Sequence, residues 1–105
     1  MQSKNTMQLL QSWYASQCNG EWEHTCGVRI VTSDNPAWNV TISLVGTSAE
    51  GKNIPPFRSP DYSKNDEDWV DCRLSDDGNE FWGVGDQHKL EFIIQYFLKY
   101  ASAKS

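Results

Sequence analysis

The chain has 105 residues and a formal net charge of −5, with 22% charged residues and three cysteines. That length is one domain, able to bury roughly 65% of its unfolded surface without staples. Nothing at the N-terminus reads as a signal peptide and no apolar run approaches the ~18 residues of a membrane span. Three sparse cysteines fit reduced thiols better than a disulfide framework, so the expected setting is cytoplasmic.

Charge is concentrated. Between Asp61 and Asp86 nine acids (Asp61, Asp66, Glu67, Asp68, Asp71, Asp76, Asp77, Glu80, Asp86) face two bases, Lys64 and Arg73. Phosphate binding needs Lys and Arg, so nucleic acid is disfavoured as a ligand, while a basic protein partner is compatible.

In chain order, Asn5 to Cys18 predicts a helix. Asn5 and Gln8 have the spacing of a capping box, and Met7, Leu10, Trp13, Tyr14 and Cys18 recur at threes and fours. Asn19-Gly20 ends it. From Trp22 to Thr32 the period changes to two, with Trp22, His24, Cys26, Val28 and Ile30 on one face of an expected strand. Ser33 to Ala37 is a turn, and Trp38, Val40, Ile42 and Leu44 alternate in the returning strand. The stretch from Gly46 to Lys64 is loop-rich, and Pro55-Pro56 limits Ile54 to Phe57 to an edge segment. Trp69 to Leu74 and Glu80 to Val84 predict a second hairpin around Asp77-Gly78, with Gly83 and Gly85 marking a bulge, a bend or close packing. Asp86 is the expected cap of a last helix. Its core stripe is Leu90, Ile93, Ile94, Phe97, Leu98 and Ala101, and its second stripe is Phe92, Tyr96 and Tyr100.

The expected fold is α+β: a roughly four-stranded antiparallel sheet of two hairpins, with the N-terminal and C-terminal helices packed on one face. It spans residues 1–105 as a single domain, with 1–4 and 102–105 frayed.

Chemistry is sparse. Cys18, His24, Cys26 and Cys72 lack the close pair spacing of a zinc site, so no metal and no cofactor are expected. Glu21, Glu23 and His24 are raw material for acid–base work, but neighbours on a strand point to opposite faces. No nucleophile elbow, phosphate loop or dinucleotide fingerprint is present. Binding remains: Glu21, Trp22, Glu23, Asp34 and Asn35 set polar groups beside tryptophan, and Asp66, Glu67, Asp68, Asp76 and Asp77 supply acid. A small-ligand site or small enzyme using Glu21, Glu23 and His24 in a Trp-lined pocket is the alternative. A third reading is self-association through Phe92, Tyr96 and Tyr100.

Trp13-Tyr14, Cys18-Asn19-Gly20-Glu21-Trp22-Glu23-His24, Gly27, Asp34-Asn35-Pro36 and Trp38 together resemble the immunity protein 53 family of bacterial polymorphic toxin systems. Asp68 to Cys72, Phe81 to Gly85 and Leu90 to Leu98 resemble its second half. The chain departs where the family more often has Asp-Gly-Asp at 19–21, an aromatic at Cys26 and Gly at Ala37. The resemblance implies a cytoplasmic protein without enzymatic role that binds and neutralises a cognate toxin. Many toxins of such systems are basic nucleases. No nucleic-acid or membrane partner is expected, and the chain is read as a monomer or weak homodimer.

Overall fold

A computed structural model describes residues 5–25, 27–34, 36–59 and 68–102. The expected fraying of residues 1–4 and 102–105 lies outside them except at Ser102, whose N–H donates to the Leu98 carbonyl at 3.0 Å; Cys26 and Asn35 also lie outside.

Helix α1 spans Thr6–Gln17. Asn5 Oδ1 accepts from the Gln8 N–H at 2.8 Å and Gln8 Oε1 from the Asn5 N–H at 2.9 Å, the reciprocal capping box the sequence predicts. Its buried face differs from the expected one. Thr6, Leu10, Trp13 and Gln17 face inward, whereas Met7 and Tyr14 are exposed. Gln17 accounts for the rotation: its amide accepts from the Ser48 N–H and donates to Ser48 Oγ, so a polar residue completes the packed stripe.

Trp22–Thr25 is not a strand but a single helical turn, α2. Asn19 Oδ1 accepts from the N–H groups of Glu21 and Trp22, at 2.9 and 3.0 Å. Glu23 in turn accepts from the N–H groups of Asn19 and Gly20, at 2.9 and 2.6 Å. These local bonds satisfy the backbone at the start of the turn and outcompete a ladder that would begin at Trp22. Gly20 supplies the left-handed residue between the helices, at φ 92°.

The sheet has five strands: β1 (Val28–Ser33), β2 (Ala37–Ser43), β3 (Phe57–Ser59), β4 (Val70–Leu74) and β5 (Glu80–Gly85). Their order is β1-β2-β5-β4-β3 and every pair is antiparallel. Two hairpins are thus joined along β2 and β5, and the segment after Pro55-Pro56 adds the short edge strand β3. Helix α3 spans Leu90–Ala101 and buries Ile93, Ile94, Phe97, Leu98 and Ala101. Each of the larger of these, Ile93, Ile94, Phe97 and Leu98, contributes about 1.5–3 kcal/mol of burial free energy.

Gly83 and Gly85 let α3 approach the sheet. A Cβ at Gly83 would lie 2.3 Å from Ile93 Cγ2, and one at Gly85 2.6 Å from Lys89 Cβ. Trp13 joins α1 to this core, its ring edge-to-face with Phe97 at 4.9 Å and with Trp22 at 5.9 Å. The Trp13 Nε1 atom has no conventional acceptor; in T-shaped pairs an aromatic face is the weak acceptor at hand. The loop after β2 also feeds the core, through Leu44, Ala49 and Ile54.

Asp86 does not cap α3. The helix opens at Leu90 after Lys89, with no side-chain cap bond. Asp86 is 3% exposed and accepts instead from the N–H groups of His88 (2.7 Å) and Trp69 (2.8 Å) and from Lys89 Nζ (2.7 Å). It therefore ties the end of β5 to the start of β4. Burial works against its charge, but Lys89 and the two backbone donors outweigh that and hold its carboxyl below the usual range.

Candidate protein-binding surfaces

The register and the turn contacts place the described site residues that the sequence predicts at the ends of the sheet. Ser43 pairs with Glu80 and Leu74 with Phe81, so the β4–β5 turn lies beside the end of β2. The Trp22 indole donates to the Ser43 carbonyl at 3.3 Å, and the Ser43 N–H to the Gly27 carbonyl, which brings α2 to the same end. Glu21, Glu23, Asp76 and Asp77 thus share one end of the sheet, and Trp22 lies beneath them, 4% exposed, with its ring in the core. Asp34, at the β1–β2 turn, and Asp68, before β4, lie at the opposite end. Asn35, Asp66 and Glu67 fall outside the described residues. The acidic block is contiguous in sequence, but the sheet sends Asp68 and the Asp76–Asp77 turn to opposite ends and keeps Asp71 within β4.

These carboxylates differ in freedom. Backbone N–H groups, its own first and then those of Asn19 and Gly20, hold the Glu23 carboxyl below the usual range. The Ser75 hydroxyl, then the Asn79 N–H, do the same for Asp77. Both are anions that shape their own loops. Asp76 is exposed. Asp68 bonds Lys89 Nζ at 2.6 Å, with its side chain 64% exposed.

The pocket expected around Glu21, Glu23 and His24 is not among the described cavities. A groove of about 790 Å³ between α1 and α3 is lined by Leu9, Ser12, Trp13, Gln95 and Lys99, among others. A second, about 310 Å³, is lined by Leu10, Gln11, Tyr14, Gly27 and Val28. Both Glu23 carboxylate oxygens accept from backbone N–H groups. The Cys72 thiol lies within the sheet, where burial and then the Asp71 charge push it up to about 12; it is no nucleophile at neutral pH. Among the described residues no group of three or more His, Cys, Asp or Glu side chains is placed to hold a metal ion. Of the second α3 stripe, Tyr96 and Phe92 pack on Phe57 of β3, and the Tyr96 hydroxyl donates to the Pro55 carbonyl. These contacts seat the stripe on the helix-facing side of β3.

One surface escaped the sequence reading. The helices cover one face of the sheet, and the other carries Trp82 on β5, the central strand. Trp82 is 42% exposed, and its indole donates to Glu80 Oε1 at 3.0 Å. Across the strands its row runs Arg29, Thr41, Trp82, Arg73. The next row ends Val84, Asp71, Arg58. Arg73 and Arg58 both donate to Asp71, at 2.7 and 3.1 Å. Burial opposes the Asp71 charge, but the two guanidiniums outweigh it and hold the carboxyl below the usual range. The signal was in the sequence: Phe81 and Gly83 point inward, so Trp82 between them points out.

The described residues form an α+β domain with its helices on one sheet face and a polar, aromatic-centred opposite face. The family model for immunity protein 53 matches residues 7–102, and the chain belongs to that family. Membership implies neutralisation of a cognate toxin, by proteins that are typically non-enzymatic. No curated protein and no solved structure matches the chain. Among the described residues no helix is long and apolar enough to cross a membrane.

Proposed function

We propose that this chain acts in the cytoplasm of the bacterium that makes it, as a monomer or weak homodimer, binding its toxin directly and holding it inactive. The toxin in this reading is a basic protein, such as a nuclease. The supporting observation is the gathering of Glu21, Glu23, Asp76 and Asp77 at one end of the sheet, although they come from segments more than fifty positions apart. A localised negative field accelerates encounter with a cationic partner and weakens as salt rises. Asp34, Asn35, Asp66, Glu67 and Asp68 belong to the same reading as a second group of contacts.

The test is charge reversal away from the two carboxylates whose backbone bonds organise their loops. Glu21→Lys with Asp76→Lys spares Glu23 and Asp77, which organise their loops. Affinity for the product of the neighbouring reading frame, tested as the toxin, is measured at low and high salt. The double variant should bind more weakly and with a flatter salt dependence. Affinity and salt dependence equal to those of the wild type would remove this end from the interface, and Asp66, Glu67 and Asp68 reversed together put the same question to the second group.

A further inference from the structure

We propose that β1 is the seam of a homodimer, in which two copies pair antiparallel along their β1 edges with Val31 facing the second copy's Val31 across the two-fold axis. This pairing goes beyond toxin binding and does not depend on it.

The ladder shows which backbone groups are on offer. The Ser43 N–H donates to the Gly27 carbonyl, so Gly27 and Ser43 form a bonded pair. Bonded and non-bonded pairs alternate along an antiparallel ladder, so Arg29 and Val31 turn their N–H and C=O groups toward Thr41 and Asn39 of β2. Val28, Ile30 and Thr32 then turn theirs outward, and β1 stands at the end of the strand order. Among the described residues nothing bonds to those outward groups.

Natural edge strands are blunted by lysine, proline, a bulge or shortness. β1 has six residues, pairs with β2 without interruption and contains neither Lys nor Pro. Val31 is 52% exposed, and Val28 and Ile30 are only half-buried against the core. The strand at the other edge, β3, has three residues and follows Pro55-Pro56. β1 is the edge open to a further strand.

Self-complementarity selects a second copy. Arg29 is the one charged residue of β1 and lies near its start, and Asp34 follows directly on its end. Neither side chain has an ion pair or hydrogen bond among the described residues. A two-fold antiparallel contact lays the start of one strand against the end of the other. With Val31 at the axis, Ile30 and Thr32 exchange backbone bonds with the second copy's Thr32 and Ile30. Arg29 then comes opposite position 33 of the second copy, beside its Asp34, and the two Arg29 side chains are kept apart. A register centred on Arg29 would set those like charges face to face. Pairing consumes both β1 edges, so the assembly closes at two copies.

The test is sedimentation velocity of the full chain over a range of concentrations, where a monomer–dimer equilibrium is expected. Val31→Lys sets like charges at the axis, and Thr32→Pro removes an outward donor that β2 does not use. Thermal melting establishes that each variant folds. Each substitution acts twice in a two-fold dimer, so each should raise the dimer dissociation constant by at least about tenfold. Arg29→Glu should also weaken the dimer, and adding Asp34→Lys to it should restore pairing. A wild type that stays monomeric throughout overturns the proposal, as do folded Val31→Lys and Thr32→Pro chains that dimerise like the wild type. A charge swap that fails to restore pairing overturns the register. A monomeric wild type whose binding to the product of the neighbouring reading frame is lost in Thr32→Pro assigns the edge to a toxin strand and also overturns the dimer.

Discussion

Replacing Gly83 by Ala puts the packing of α3 on the sheet to its sharpest test. The added Cβ would lie 2.3 Å from Ile93 Cγ2 and 3.3 Å from the Phe81 ring. Carbon atoms in contact prefer about 3.5–4.0 Å, so the first approach is too close by roughly 1 Å or more. Ile93 is fully buried and its Cγ2 is fixed by the β-branch, so the helix or the strand must move. Overpacking of this kind costs about 1–3 kcal/mol, more than the modest gain from relieving glycine's chain entropy. In a domain of this size the melting temperature should fall by roughly 10 °C. Ile93→Leu removes Cγ2, and alone it should cost under about 1.5 kcal/mol. The double variant Gly83→Ala with Ile93→Leu should regain at least half of the lost stability, a coupling that a double-mutant cycle in urea measures. An unchanged melting temperature in Gly83→Ala, or strictly additive effects in the cycle, would refute the close-approach argument.

Asp86→Ala leaves the Trp69 and His88 N–H groups without their acceptor and should cost roughly 2–4 kcal/mol in urea unfolding. Its pH signature follows from the depressed carboxyl: stability from Asp86 is fully present above the unfolded Asp value of about 3.9 and is lost as pH falls through the lower folded value. The wild type should therefore lose more stability on acidification than the variant; equal slopes would contradict the assignment. Cys72, with its thiol raised to about 12, should resist alkylation in the folded chain at neutral pH, while exposed Cys18 reacts. Peptide mass mapping after a short treatment with iodoacetamide distinguishes the two, and rapid labelling of Cys72 would contradict its burial.

The β2 strand, both hairpins and α3 were legible because their periodicity coincides with burial. Val40 and Ile42 point in and Asn39 and Thr41 point out, as alternation requires. Trp22 misled because an apolar residue at every second position also occurs by accident. Asn19 with Glu23 four residues later was the better signal, since each satisfies backbone donors near the other. Asn19-Gly20 closes one helix and opens the next, and a reading that stops at the first role misses the second. Asp86 misled in a related way: it stands just before a helix, but its oxygens reach back to β4 as well as forward to His88. Ala49 and Ile54 could not have been placed in the core, because isolated apolar residues in a loop carry no period.

The candidate surface was harder to read for a physical reason. A run of acids in sequence becomes a patch only if the chain keeps it together, and antiparallel strands send successive turns to opposite ends. Asp68 and Asp76 lie eight positions apart on opposite ends of the sheet, whereas Glu21 and Asp76 share one. Surface charge is thus a property of topology more than of composition. The outward Trp82 needed the opposite inference: once Phe81 is assigned to the core, the orientation of its neighbour is settled.

The central claim, that this chain neutralises a toxin by direct binding, is tested most directly by co-expression. The product of the neighbouring reading frame of the locus is induced with and without the full chain, growth is scored, and the tagged chain is recovered. Restored growth together with a stoichiometric complex in the eluate is the predicted result. Continued killing in cells that contain the folded chain, or rescue with no complex formed, would contradict it.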